Sequence, residues 1–214
     1  MATQHGARLV FDNAKRLVEN AGFNVNQAVL SQSYLRSEVA ISTSVTNYHI
    51  PILINDTIGT AYATEQRLQL QDAFVLSSLG VFVAEPDGEV ANFKLYSYAS
   101  PQLTNAAALT TLWNSGSINM VFNNRQIMPA WDVYRHYEVP QTQYNTQGGA
   151  NAGIDQISGA NTGLYPVEPN VVLVGSKNLQ VSLTLPEAIS DAGNGSRIVV
   201  IFRGILAQNV TPVR

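Results

Sequence analysis

The residues best suited to chemistry in this chain are its three histidines, His5, His49 and His136. An extended backbone around His136 would place it on one face of a strand with Glu138. A metal site would need a third and a fourth ligand, and no His-x-His pair supplies them. The simpler interpretation is a histidine hydrogen-bonded at the end of a strand, so we expect no metal and no cofactor.

Motifs of known catalytic machinery do not occur in the 214 residues. The chain has no G-x-S-x-G elbow, no H-E-x-x-H pair and no glycine-rich phosphate loop followed by lysine. It also has no cysteine, which excludes disulfides and a cysteine nucleophile. We therefore expect a protein that is not an enzyme.

Aromatic residues recur beside His136, at Trp131, Tyr134 and Tyr137. Aromatic rings present flat apolar faces and, in tyrosine and tryptophan, a polar group as well. These three residues are therefore the candidate stacking positions of a lectin-like, carbohydrate-binding β-sandwich. Core packing explains Trp131 at least as well, and both interpretations stay open at this point.

The polarity of the chain comes from neutral groups. Charged residues make up 13%, about half the usual share, whereas there are 19 Asn, 14 Gln, 16 Ser and 14 Thr. A neighbour can cover neutral hydrogen-bonding groups at a smaller desolvation cost than charges. The composition therefore favours assembly with other subunits.

Net charge and hydropathy also limit which binding partners and which cellular location we expect. The net charge is −3, and the few basic residues near the N-terminus are too sparse for an RNA-packaging arm. We expect no strong direct binding to nucleic acid. No apolar run approaches the roughly 20 residues of a membrane helix, and residues 1–20 lack a signal-peptide pattern. We expect synthesis in the cytoplasm, no secretion by a signal peptide and no membrane partner.

Residues 1–37 are predicted to form an arm of short helices. Asp12 is placed to cap the first helix, Gly22 to end it, and Asn26 to cap a second one. Short helices need a surface to pack on. They either close one end of their own domain or reach a neighbouring subunit. In the second case the interface residues would be Leu17, Val18, Leu30 and Leu35.

Residues 38–214 are predicted to form a β-sandwich. Leu179, Val181, Leu183 and Leu185 alternate with polar residues, and Arg197–Gln208 is a nearly all-apolar strand. One short helix, Asn105–Trp113, is inserted. About eight strands with long connections predict a mainly β fold, an antiparallel β-sandwich arranged as a single jelly roll.

Residues 141–163 are rich in Gly, Asn, Gln and Ala and have few apolar side chains to bury. They are predicted to form a long polar surface loop within the β-domain. Tyr144 and Ile154 are its candidate subunit-interface residues, because such segments often order against a neighbour.

Three stretches resemble jelly-roll virion proteins of bacteriophages: residues 64–86 (TEQRLQLQDAFVLSSLGVFVAEP), 123–143 (NNRQIMPAWDVYRHYEVPQTQ) and 170–189 (NVVLVGSKNLQVSLTLPEAI). The resemblance extends over residues 38–207. It implies a capsid or capsid-associated subunit that is located in the virion, assembles with copies of itself and other virion proteins, and carries no catalytic residue. Many viral jelly rolls that touch the genome have a strongly basic arm, which this chain lacks.

Overall fold

A computed structural model describes the backbone of residues 2–56, 62, 64–87, 90–101, 103–139, 141–144, 154–157, 162–190 and 195–212. Side chains are described for residues 10–56, 62, 64–86, 95–101, 103–139, 162–190 and 195–212. The helices are α1 (Ala2–Asn20) and α2 (Ala106–Ser115), with a 3₁₀ turn at Val133–His136. The strands are β1 (Phe23–Asn24), β2 (Val29–Ala40), β3 (Asn47–Ile50), β4 (Ala73–Asp87), β5 (Val90–Tyr96), β6 (Ser117–Phe122), β7 (Arg125–Asp132), β8 (Gln141–Tyr144), β9 (Ile154–Ile157), β10 (Leu164–Val174), β11 (Leu179–Thr184), β12 (Arg197–Gln208) and β13 (Thr211–Pro212).

Two antiparallel sheets make up most of the structure, which confirms the prediction of a mainly β chain. The first has the strand order β10-β4-β12-β2, with β5 pairing along the second half of β4. The second has the order β3-β11-β6-β7. None of the described helices is long and apolar enough to cross a lipid bilayer.

The main core includes side chains from both sheets. Leu179, Val181, Leu183 and Leu185 are buried, while Gln180 and Thr184 are exposed, so the predicted alternation of β11 is confirmed. The first sheet contributes buried residues to the same cluster from β4 and β12, among them Phe74, Leu76, Leu79, Ile198, Val200 and Phe202. The inserted helix is confirmed as α2 and adds Leu109, Leu112 and Trp113.

The predicted second N-terminal helix is wrong, because residues 29–40 form strand β2. This strand pairs with β12 without a register shift, from Val29 opposite Gln208 to Ala40 opposite Arg197. Alternate residues such as Leu35 and Ser37 point inward and are buried. A strand partner of this length supplies more contacts than a short isolated helix, so tertiary pairing decides the conformation. The predicted domain boundary between residues 37 and 38 therefore falls inside a strand.

Helix α1 is longer than predicted and packs on its own chain. It begins at Ala2, so Asp12 lies inside the helix and is not its cap. Gly22 follows it at φ 89, a conformation that favours glycine after a helix. Ala14 and Val18 are buried in a second cluster with Val75, Ile205 and Ala207 of the first sheet. Of the two interpretations for this helix, packing on its own domain is the one observed for residues 10–20.

The segment predicted as a loop at residues 141–163 contains a small ribbon. Strands β8 and β9 pair antiparallel, from Gln141 opposite Ile157 to Tyr144 opposite Ile154. Backbone hydrogen bonding can form such a pair without a large apolar side-chain set, which is why the composition did not reveal it. The side chains of Tyr144 and Ile154 lie outside the described part of the chain, so their predicted interface role stays a prediction.

Candidate functional site

The aromatic segment at the end of β7 is held together by contacts within the chain. The carboxylate of Asp132 accepts a hydrogen bond from the backbone N–H of Tyr134 (2.9 Å) and caps the 3₁₀ turn. The indole N–H of Trp131 donates to Nε2 of His136 (2.8 Å). The guanidinium carbon of Arg135 lies 5.1 Å from the Trp131 ring centre and 5.2 Å from that of Tyr165. Trp131 is therefore committed to internal partners through both its N–H and its ring.

His136 is fully buried at this place. Because Nε2 accepts the Trp131 hydrogen bond, the ring proton is assigned to Nδ1, which lies 3.1 Å from the carbonyl oxygen of Gly163. Burial lowers the pKa of His136 to about 4, and the nearby Arg135 adds to this, against the opposing effects of the Gly163 carbonyl and Asp132. The imidazole is therefore neutral at pH 7 and joins the turn to residue 163. Across the described residues, no group of three or more His, Cys, Asp or Glu is placed to hold a metal ion.

The two tyrosines of this segment differ in exposure. Their rings stack in parallel, with centres 6.1 Å apart and planes 6° apart. Tyr137 is half-buried and meets Trp113 edge to face at 5.9 Å, whereas 58% of Tyr134 is exposed. Of the three predicted stacking residues, Tyr134 is the one with a largely exposed side chain.

A second feature is a set of charged residues around β2, here called the charged cluster: Arg36, Glu38, Glu65, Arg67 and Arg197. The side chain of Glu38 is fully buried and forms ion pairs with Arg36 (2.8 Å) and Arg197 (2.9 Å). It also accepts a hydrogen bond from the hydroxyl of Thr64. Burial opposes ionisation of Glu38, but these hydrogen bonds and the charge of Arg36 outweigh it and hold its pKa below the usual value.

The charged cluster fastens a neighbouring segment along the C-terminal half of β2. Arg36 exchanges two backbone hydrogen bonds with Gln66, both 2.9 Å long. The carboxylate of Glu65 accepts from the backbone N–H of Glu38 (3.0 Å) and pairs with Arg67 at 2.8 Å. Residues 36–38 are therefore covered on the side away from β12.

The N-terminal half of β2 has a different edge. The N–H and C=O groups of Arg36 point away from β12, since both bond to Gln66. Backbone direction alternates along a strand, so the groups of Leu30, Gln32 and Tyr34 also point away from β12. Within the described part of the chain, no hydrogen bond engages these backbone groups. Residues 29–35 are here called the open edge of β2.

The open edge itself is uncharged, and its surroundings are partly apolar. Residues 28–35 contain no charged side chain. Val29 is 59% exposed and Tyr34 is 48% exposed. A groove of about 900 Å³ runs between α1 and the outer face of the first sheet, and Val10, Gln32, Tyr34 and Arg203 help to line it. A strand edge with free backbone groups and little charge is a surface that another strand can bind.

The predicted interface residues fall into two groups. Val18 and Leu35 are buried inside the chain itself, Val18 on the inner face of α1 and Leu35 in the main core. They cannot contact another subunit in this structure, so the prediction is wrong for them. Leu17 and Leu30 are half-buried beside the second cluster, and Leu30 lies on the open edge.

Neither the charged cluster nor the open edge was predicted from the sequence. The Arg36/Glu38 and Glu65/Arg67 pairs are visible as opposite charges two positions apart, which share one face of a strand. Arg197, however, lies 159 positions from Glu38, and nothing local joins them. Comparison with known protein families and with curated protein sequences finds no match to this chain.

Proposed function

We propose that this chain is a jelly-roll structural subunit of a virion, either a shell protein or a protein attached to the shell. The observation that carries the proposal is the nesting of its strand pairs. Apart from β5, which pairs only with β4, the two main sheets contain eight strands, in chain order β2, β3, β4, β6, β7, β10, β11 and β12. The first pairs with the eighth, the second with the seventh, the third with the sixth and the fourth with the fifth.

This nesting supports a jelly roll. An eight-stranded hairpin that rolls up into two facing sheets gives such pairs. Its strands alternate between the sheets except at the central hairpin, here β6 and β7, which lies in one sheet. The fold by itself serves viral shells, lectins and cupins alike, so the function has to be argued from the surface.

Surface chemistry supports assembly among these alternatives. Charged residues are 13% of the chain, and five of them are drawn into the charged cluster. Most of the remaining polar side chains are amides and hydroxyls, which a neighbour can cover at modest cost. The open edge of β2 adds backbone groups that can bind another chain. The likeness of three segments to phage virion proteins points the same way.

Self-assembly is tested on the full-length purified chain. Light scattering after size-exclusion chromatography, run over a wide range of concentration, should give masses above the 23.2 kDa of one chain. Electron microscopy of the same samples should show closed or repeating particles. A mass of one chain at the highest soluble concentration, in low and high salt, would contradict the proposal.

A second candidate function is carbohydrate binding, and it is favoured by the exposed ring of Tyr134. This ring stacks on Tyr137 and is 58% exposed, so it offers an aromatic face to solvent. A glycan array would test it. Binding should be lost in Tyr134→Ala and retained in Tyr34→Ala, a matched change at another exposed tyrosine. Equal binding by both variants would rule out the Tyr134 site.

A further inference from the structure

Exposed strand edges are normally protected against pairing with other chains. Proteins use short strands, prolines, charges and bulges for this purpose. Three edge strands of the two sheets are protected in this way. Strand β3 has four residues and is followed by Pro51, β7 contains Pro129, and β10 contains Pro166 and a register shift after it.

The open edge of β2 has none of these protections. The strand is 12 residues long and keeps one register with β12 throughout. Between residues 28 and 35 there is no proline and no charge. The same strand is protected from Arg36 onward by Gln66 and the charged cluster. Because one half of the strand is protected and the other is not, we infer that the open half binds another polypeptide chain.

The identity of the partner follows from symmetry and charge. Two copies related by a two-fold axis would place each residue opposite its mirror position, so a charge near the axis would meet its own copy. An edge that pairs with itself must therefore be neutral near the axis, as this one is. An edge built for a different, charged partner would carry complementary charges, and none lies between residues 28 and 35.

The covered half of β2, from Arg36 onward, limits the register in which two copies of β2 can pair. With the axis at Gln32, Gln32 lies opposite Gln32 of the second copy and Leu30 lies opposite Tyr34. All of these have backbone groups that point outward, so each facing pair can form two hydrogen bonds. An axis nearer the C-terminus would bring the second copy onto Gln66, which already occupies Arg36. With the axis at Gln32, the outward backbone groups of Leu30, Gln32 and Tyr34 all form hydrogen bonds with the second copy. The aliphatic side chain of Leu30 also lies opposite the aromatic side chain of Tyr34.

We propose that the open edges of β2 in two copies pair antiparallel about a two-fold axis at Gln32, which joins their five-stranded sheets into one continuous sheet. The inference rests on the proposed assembly function and names the contact through which assembly begins. Its occupant is a second copy of this chain.

The test uses two opposite charges at the axis. Gln32→Lys and Gln32→Glu each place like charges face to face, so each variant alone should associate about tenfold or more weakly than the wild type. An equimolar mixture of the two should regain association, because Lys then faces Glu. Sedimentation velocity measures all three. Gln180→Lys and Gln180→Glu are matched controls, since Gln180 is exposed on the other sheet, and both should behave as the wild type.

The outcomes separate this inference from the proposed function. If both Gln32 variants associate as strongly as the wild type, or if the mixture regains nothing, the β2 pairing is wrong while assembly stands. If the wild type and the Gln180 controls are all monomeric at every concentration, the proposed function fails as well. Thermal unfolding of each variant shows whether the fold is intact. For any Gln32 substitution that does not fold, Tyr34→Lys, which lies opposite Leu30 of the second copy, replaces it and should also weaken association.

Discussion

The two halves of β2 belong to one strand, pair with one partner and end in opposite surroundings. Residues 36–38 are covered by Gln66 and by the charged cluster, with the Glu38 carboxylate fully buried between two arginines. Residues 29–35 have outward backbone groups and no charge. The difference shows that buried charges hold the closed half of β2, whereas the open half carries no charge.

The largest effect is expected where the closed half loses its central charge. Glu38→Gln removes the buried carboxylate that pairs with both Arg36 and Arg197, so the free energy of unfolding should fall by about 3–5 kcal/mol. Urea denaturation measures it. The matched change in the open half, Gln32→Ser, should stay within about 0.5 kcal/mol of the wild type. Similar losses in both variants would remove the contrast between the two halves.

Proline substitutions test which backbone groups point outward. The N–H of Ser33 faces β12, so Ser33→Pro removes a ladder hydrogen bond and should cost about 3 kcal/mol. The N–H of Gln32 faces away from β12, so Gln32→Pro should cost about 1 kcal/mol or less. Chemical denaturation followed by circular dichroism compares them. Equal costs would show that the assigned direction of the edge is wrong.

Acid should loosen the closed half and leave the open half unchanged. The pKa of Glu38 is lowered in the folded state, so its stabilising contribution is complete above the unfolded value of 4.5 and is lost as pH falls through the folded value. Hydrogen-exchange protection of the Arg36 and Gln66 amides should therefore drop below pH 4.5. The outward amides of Leu30, Gln32 and Tyr34 should show little protection at any pH in the monomer.

The pH also affects the stability of the whole fold, and this effect has to be separated from the local loss of protection at Arg36. His136 has a folded pKa of about 4, below the ordinary histidine pKa of 6.5. The unfolded chain therefore gains a proton between these values that the folded chain does not, and stability should fall as pH drops from 6.5 towards 4. A His136→Gln variant should lack this slope while keeping the loss of protection at Arg36. If the Arg36 protection followed His136 instead, the charged cluster would not be what holds the segment at Gln66.

The smallest expected effect concerns the tyrosine of the open edge. Tyr34→Ser removes an exposed side chain, so the free energy of unfolding should change by no more than about 0.5 kcal/mol. Association should weaken, because each cross-strand contact with Leu30 contributes roughly 0.2–1 kcal/mol. Sedimentation velocity detects the change, and Val139→Ser, at another exposed apolar residue, should leave association unaltered. A fall in stability without a change in association would place Tyr34 inside the fold rather than at a contact.

Features with a clear local period were predictable. The alternation from Leu179 to Leu185, the apolar strand Arg197–Gln208 and the helix at residues 106–115 each follow from neighbouring residues, because one side of a strand or helix must be apolar to face a core. Residues 26–35 lack such a period, so their conformation depended on a partner strand that lies far away in the chain.

The sequence by itself determined that this is a mainly β chain with little charge, no cysteine and a neutral hydrogen-bonding surface, since these follow from residue types and short-range pattern. Only the tertiary structure decided that Val18 and Leu35 are internal, that Arg197 reaches Glu38, and that β2 is closed in one half and open in the other. The physical reason is that burial and edge pairing depend on which strands become neighbours. Residues 159 positions apart carry no local signal that they will meet.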